Sequence, residues 1–160
     1  GHKDIAIITG SPNHYTSNGR LNGYKKAITN AGLPITDDYI QCGDYCIDGG
    51  YEAMMRLCKL SKRPTAIFIS NYDMTIGAYL AINYLRLKIP DDISVIGFDN
   101  FPLANVVNPP LSFAEQPTNV MGTEAGKLLY RRICGDYSDY PKTIMHKPTM
   151  HYKESIRQLT

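Results

Sequence analysis

The stretch that decides the predicted fold runs from Pro64 to Asn100 and reads PTAIFISNYDMTIGAYLAINYLRLKIPDDISVIGFDN. Two short apolar runs, Ala66–Ser70 and Ile93–Phe98, enclose the segment Met74–Leu87, in which apolar residues recur at helical spacing. A strand, a helix and a second strand within about thirty residues form a βαβ unit, which requires a parallel sheet and a right-handed crossover. The stretch therefore predicts an α/β fold.

Alternating strands and helices are predicted on both sides of this unit. Further strands are predicted at Asp4–Thr9, Tyr39–Gly43 and Leu111–Glu115, with an edge strand within Thr143–Tyr152. Further helices are predicted at Arg20–Asn30, after Asp48, and at Thr118–Cys134 with Thr118 as its N-cap, while Phe101–Pro110 is predicted as a loop. This alternation predicts a doubly wound, mainly parallel sheet with the flavodoxin-like strand order 2-1-3-4-5.

Polar residues directly follow successive predicted strands. Asn71 and Asp99 follow the two strands of the βαβ unit, and Tyr45 follows the predicted strand Tyr39–Gly43. Open parallel sheets bind ligands beyond the carboxyl ends of their strands, and this amide and carboxylate suit a hydroxyl-rich ligand. Each residue also has a structural interpretation, Asn71 as a helix N-cap and Asp99 as a turn residue. The sequence leaves both interpretations open.

Composition excludes several classes of protein. The 160 residues carry a formal net charge of +2 without a basic stripe, which does not favour direct nucleic-acid binding. No apolar run has the ~18–20 residues that a membrane-spanning helix needs. The four cysteines match neither a disulfide scaffold nor a zinc site, and Gly1-His2-Lys3 leads into a strand without a signal peptide, so we expect a cytoplasmic protein. Ser11 lacks the surroundings of a nucleophile elbow, which favours a binding protein over an enzyme.

The same stretch resembles the LacI/GalR-type bacterial transcription regulators, which respond to sugars. SNYDMTIGAYLAINYLRLKIPDDISVIGFDNFPLA is similar to the family pattern N-D-x-M-A-x-G followed by P-x-D-[IV]-S-[IV]-[IV]-G-[FY]-D-[DN]. The match continues through HKDIAIITG, GRLNGYKKAI, GDYCIDGGYEAMMRL and NPPLSFAEQPTNVMGTEAGKLL, so it covers nearly the whole chain. The resemblance implies the C-terminal part of a periplasmic-binding-protein-like effector-sensing domain, with no catalysis and with no cofactor or metal. The alternative is the solute-binding protein of a sugar transport system.

The resemblance also implies effector-binding residues. Arg20 matches an arginine that grips ligand oxygens, Asn71 and Asp99 match the amide and carboxylate of the pocket, and Tyr45 matches a stacking aromatic ring. Thr16 lies in a variable loop that often adds a polar contact. The family usually has Asp where this chain has Tyr72, so Asp73 is the candidate for that role. The implied effector is a sugar or sugar-like molecule, and a purine also suits these residue types.

Finally, the resemblance implies how the chain is divided and what it binds. Residues 1–110 and 142–160 form one subdomain, and residues 111–141 form a crossover and a helix that belongs to an absent subdomain. We expect that helix to dock on its own domain or a neighbouring chain, or to be poorly ordered. Operator DNA is bound only through a headpiece outside this chain, and a homodimer interface is implied at Ile76, Leu80, Tyr84 and Val107.

Overall fold

The computed structural model describes residues 1–99 and 103–160, and in them one sheet organises the chain. Its strands are β1 (Ile5–Thr9), β2 (Ile40–Cys42), β3 (Ala66–Ile69), β4 (Ser94–Phe98), β5 (Ser112–Glu115) and β6 (Thr149–His151). The order across the sheet is β2-β1-β3-β4-β5-β6, with the first five strands parallel and β6 antiparallel to β5. The predicted doubly wound α/β fold and its strand order are confirmed, and β6 is the predicted edge strand.

The helices are α1 (Tyr15–Asn30), α2 (Ile47–Cys58), α3 (Tyr72–Tyr84), α4 (Leu103–Val106) and α5 (Thr118–Ile133), with a 3-10 turn at Asp37–Tyr39. The predicted start of α1 near Arg20 is wrong, because the polar residues before Arg20 are helical without showing apolar periodicity. The N-cap of α5 is Pro117, so Thr118 is its first helical residue and not its cap. Within the predicted loop Phe101–Pro110, α4 forms a short turn, and residues 100–102 lie outside the described residues.

Each face of the sheet has its own apolar core. On one face, Ile7 packs with the buried α1 residues Tyr24 and Ile28. On the other face, Ile8 and Ile69 belong to a larger cluster that α2 and α3 cover. This cluster includes Met54, Leu57, Met74, Ala78, Ala81, Ile82, Ile93, Val95 and Leu111. Continuous apolar runs in the central strands reflect this burial on both faces.

Glycines allow α2 and α3 to lie in close contact. A Cβ atom on Gly77 would lie only 1.9 Å from the carbonyl oxygen of Ile47, and one on Gly50 only 2.4 Å from that of Met74. Real Cβ atoms do not approach backbone atoms this closely, so both helices use glycine where their backbones meet. This contact fixes α3, and therefore the residues at its start, relative to the sheet.

Helix α5 stands apart from both cores. None of its residues, all of which the structure describes, is buried. Val120, Leu129 and Ile133 are 49%, 62% and 74% exposed. Burying a large apolar side chain is worth about 1.5–3 kcal/mol, so this face lacks a cover that would stabilise it. Docking onto the chain's own domain was one of the expected outcomes, and the contact seen is with the segment that follows the helix. There His146 Nε2 lies 3.0 Å from Oε2 of Glu124, and Ile144 lies beside Met121, Ala125 and Leu128.

Ion pairs hold the end of α5 to the segment that follows it. Arg131 lies 2.7 Å from Asp136 and 2.9 Å from Asp139, and Arg132 lies 2.7 Å from Asp139. Hydrogen bonds from the backbone and side chain of Ser138, together with Arg131, lower the pKa of Asp136 to about 2. These ion pairs hold the C-terminal end of α5 against the segment 136–139, whereas Val120, Leu129 and Ile133 on its apolar face stay exposed.

We expect Gly77→Ala to lower the free energy of unfolding by about 1–3 kcal/mol, because the added methyl group forces α2 and α3 apart. Gly23→Ala on α1 is the matched control, since a Cβ there meets nothing within 4 Å. The control should be neutral or stabilising by up to about 1 kcal/mol, because alanine favours a helix over glycine. Urea unfolding of both variants measures the difference, and equal effects would contradict the close contact.

Candidate functional site

The first turns of α1 are fastened to the carboxyl end of β1 by a buried serine. Ser17 donates a hydrogen bond to the carbonyl oxygen of Gly10 at 2.7 Å, and its hydroxyl lies 3.0 Å from that of Thr9. Arg20 is four positions after Thr16, so the two residues lie on the same side of the helix. The anchor therefore places both candidate effector residues over one edge of the sheet.

Arg20 connects the ends of β3 and β4. Its Nη1 donates a hydrogen bond to the carbonyl oxygen of Ser70 at 2.6 Å, and its guanidinium carbon lies 3.8 Å from the centre of the Phe98 ring. Ser70 directly precedes Asn71, and Phe98 directly precedes Asp99. A cation over an aromatic face is attracted by the ring, and the guanidinium has five N–H donors in total. Arg20 is thus half-buried and held beside both predicted pocket residues.

Asn71 has the structural role that the sequence left open. Its Oδ1 accepts a hydrogen bond from the backbone N–H of Met74 at 3.2 Å, which makes Asn71 the N-cap of α3. Its carbonyl oxygen accepts from the hydroxyl of Thr75 at 2.7 Å. Asp73 lies half-buried in the first turn of the same helix. The contribution of Asn71 and Asp73 to effector binding stays a prediction.

Asp99 is also a turn residue, and its carboxylate has a partner that the sequence did not indicate. Its φ of 80° lies in the left-handed region, which costs a residue other than glycine roughly 1–2 kcal/mol. Its backbone N–H donates to the carbonyl oxygen of Ala114 at 2.9 Å, and its Oδ1 accepts from Nε2 of Gln116 at 2.6 Å. Gln116 follows β5, so this bond links the end of β4 to the start of the segment leading into α5. Only the pairing of β4 with β5 brings Gln116 here.

Tyr45 lies at the other end of this edge, against β1. Asp44 and Tyr45 both have left-handed backbones, with φ values of 50° and 59°. The Tyr45 ring lies so close to Gly10 that a Cβ there would be 2.1 Å from Cε2. Its hydroxyl lies 3.0 Å from that of Thr16, and the His14 ring meets it edge-on with 5.4 Å between ring centres.

The structure therefore brings the predicted residues to one open edge. Arg20, Asn71 and Asp99 lie around the ends of β3 and β4, whereas Thr16 and Tyr45 lie around the ends of β1 and β2. A guanidinium, a carboxylate and an aromatic ring together suit a ligand with hydroxyl groups and an apolar or π face. Within residues 1–99 and 103–160, no group of three histidine, cysteine or acidic side chains could hold a metal ion, and no helix could cross a membrane.

Nearly the whole chain matches one known domain family. The profile of the periplasmic binding protein-like domain matches residues 1–156. The chain belongs to this family. A transcriptional repressor named PurR from Actinobacillus pleuropneumoniae is 36% identical over 160 residues, and the match covers 99% of this chain and 48% of that repressor. The ribose operon repressor of Escherichia coli is 41% identical over 133 residues, covering 83% of this chain and 40% of the repressor.

Solved structures agree with this assignment. The complex of the transcriptional regulator CelR with cellobiose is 30% identical, has a TM-score of 0.90, and is matched over 97% of this chain and 47% of that one. A LacI regulator from Bacillus cereus is 26% identical with a TM-score of 0.93, matched over 100% of this chain and 56% of that one. The resemblance to LacI-type regulators is confirmed. The chain spans about half the length of the curated relatives it matches.

We expect Ser17→Ala to lower the free energy of unfolding by about 1–3 kcal/mol, because it leaves buried polar groups of Thr9 and Gly10 without their partner. Thr29→Ala, at an exposed position near the other end of α1, is the control and should change stability by less than about 0.5 kcal/mol. Urea unfolding monitored by circular dichroism compares the two. A Ser17→Ala protein as stable as the control would show that α1 is not anchored in this way.

Proposed function

We propose that this chain is the C-terminal part of the effector-sensing domain of a cytoplasmic transcription regulator that binds a sugar or sugar-like molecule. The observation that carries the proposal is the position of Arg20, whose guanidinium contacts the residues directly before Asn71 and Asp99. Together with Tyr45, these groups supply hydrogen-bond donors, acceptors and an aromatic face at one sheet edge. A purine base is the second candidate class, because it offers the same combination of a flat face and polar edges.

The effector is proposed to bind between two subdomains, of which this chain supplies one. Residues 1–110 and 142–160 form that subdomain, whereas residues 111–141 form a crossover and the helix α5 of the other. The uncovered apolar face of α5 supports this division, since a second sheet would bury it. The site residues lie on an open edge, so the chain alone should bind effector weakly. Operator DNA is proposed to be bound only through a headpiece outside this chain.

The rival candidate is the solute-binding protein of a sugar transport system. Both classes share the periplasmic binding protein-like domain, so the fold does not separate them. The relatives described above are transcriptional repressors by name, which supports the regulator. These names give a regulatory role, and we propose no catalytic step for the groups at this edge.

A homodimer is part of the proposal, and its interface is the outer face of α3. Met74, Ala78 and Ala81 face the core, whereas Leu80 and Tyr84 are 51% and 71% exposed. The interface is proposed to comprise Ile76, Leu80, Tyr84 and Val107, of which Ile76 and Val107 are half-buried. A helix with two apolar faces needs a second cover, and an identical helix across a two-fold axis supplies one.

We expect Leu80→Glu to shift the sedimentation coefficient from dimer to monomer, because a charged side chain is costly at the apolar centre of an interface. Ile35→Glu, at an exposed apolar position away from α3, is the control and should leave the dimer intact. Sedimentation velocity over a concentration series measures both. A wild-type protein that is monomeric throughout the series would refute the proposed interface.

We expect Asp99→Ala to weaken effector binding by about 2–4 kcal/mol in the complete regulator, because it leaves donors of the bound effector and the half-buried amide of Gln116 unpaired. Asp38→Ala is the control, since Asp38 is exposed beyond the amino end of β2. Isothermal titration with D-ribose, cellobiose, a hexuronic acid and hypoxanthine measures the affinities. Equal affinities for wild type and Asp99→Ala would remove Asp99 from the site.

A further inference from the structure

The paired hydroxyl groups of Thr16 and Tyr45 suggest a role for Thr16 different from that of an effector contact. Thr16 lies in the first turn of α1 and is exposed to solvent. Its Oγ1 is nevertheless 3.0 Å from the hydroxyl of Tyr45, a residue 29 positions later in the chain. Either hydroxyl can donate in this pair, and in both directions the bond ties the Thr16 side chain to the Tyr45 hydroxyl.

Two contacts restrain the Tyr45 side chain in complementary ways. The tyrosine hydroxyl lies on the axis about which the ring turns, so its bond to Thr16 fixes the direction of that axis but not the rotation of the ring. The close contact with Gly10 restricts the rotation, because the ring edge lies where any Cβ on that glycine would be. Together the two contacts determine where the ring lies and which way its face points.

The backbone and a neighbouring ring add to these restraints. Asp44 and Tyr45 are both held in the left-handed region, a conformation that persists only where the surrounding structure determines it. The His14 ring approaches that of Tyr45 at an interplanar angle of 88°, the edge-to-face arrangement that aromatic rings favour. All of these restraints on Tyr45 come from residues of the chain itself.

We propose that Thr16 is a positioning residue, which holds the Tyr45 ring in place as a preformed wall of the effector site. The inference rests on the proposed function, since it assumes that this edge binds the effector. It implies an effector with a ring that can lie against the tyrosine face, such as a cyclic sugar or a purine base, because an aromatic ring packs on flat apolar or π surfaces. A wall that is fixed before binding costs no ordering when the effector arrives.

A double-mutant cycle on the complete regulator separates positioning from direct contact. The variants are Thr16→Val, which has the same shape without the hydroxyl, Tyr45→Phe, and the two combined. Affinities are measured by isothermal titration with D-ribose, cellobiose, a hexuronic acid and hypoxanthine. We expect each single variant to lose about threefold to tenfold in affinity for the probe that binds, and the double variant to lose no more than either single one.

Conservative and distant substitutions control the cycle. Thr16→Ser keeps the hydroxyl group and should retain the wild-type affinity. Thr29→Val places the same change near the other end of α1 and should leave affinity unaffected. The free energy of unfolding of Thr16→Val should match that of Thr29→Val, so that a loss of affinity cannot be a loss of folding.

Defined outcomes overturn the inference. If Thr16→Val still reduces affinity in the Tyr45→Phe protein, Thr16 contacts the effector directly. If neither single variant changes affinity while Asp99→Asn abolishes binding, the hydroxyl pair does not position the ring for the effector, and the inference fails while the proposed function stands. If no probe binds the wild type, or if Asp99→Asn and Arg20→Met bind it unchanged, the proposed function fails and the inference fails with it.

Discussion

The parallel pairing of β1 with β2 on one side and with β3 on the other is the constraint on which the rest of the structure depends. Parallel strands place their carboxyl ends at one edge, so every loop that leaves these strands begins there. The crossovers then put α1 on one face and α2 with α3 on the other. Because the helices cover both faces, the edge is the place left for a ligand.

The candidate site is built on contacts that serve the fold at the same time. Ser17 anchors α1, Asn71 caps α3, and Asp99 forms the turn after β4. Structural and functional interpretations of such residues do not exclude one another, because an anchored side chain is also a preorganised one. Arg20 shows this most clearly, since its bond to Ser70 and its contact with Phe98 hold a cation beside both polar residues.

How far the site was predictable depends on the kind of contact. Residues within three positions of the end of a strand, such as Tyr45 and Asp99, are found from the strand pattern because chain order puts them at the edge. Gln116 was not found as a partner of Asp99, since their bond requires the lateral pairing of β4 with β5. The role of Ser17 was also missed, because a single polar residue before a helical pattern carries no signal of burial.

By itself, the sequence determined the α/β class, the strand order and the family, since apolar periodicity and motif spacing are local properties of the chain. The start of α1, the bond between Asp99 and Gln116 and the bond between Thr16 and Tyr45 were decided only by the tertiary structure. Each of these depends on which distant residue a side chain meets or fails to meet, and no local pattern records that distance.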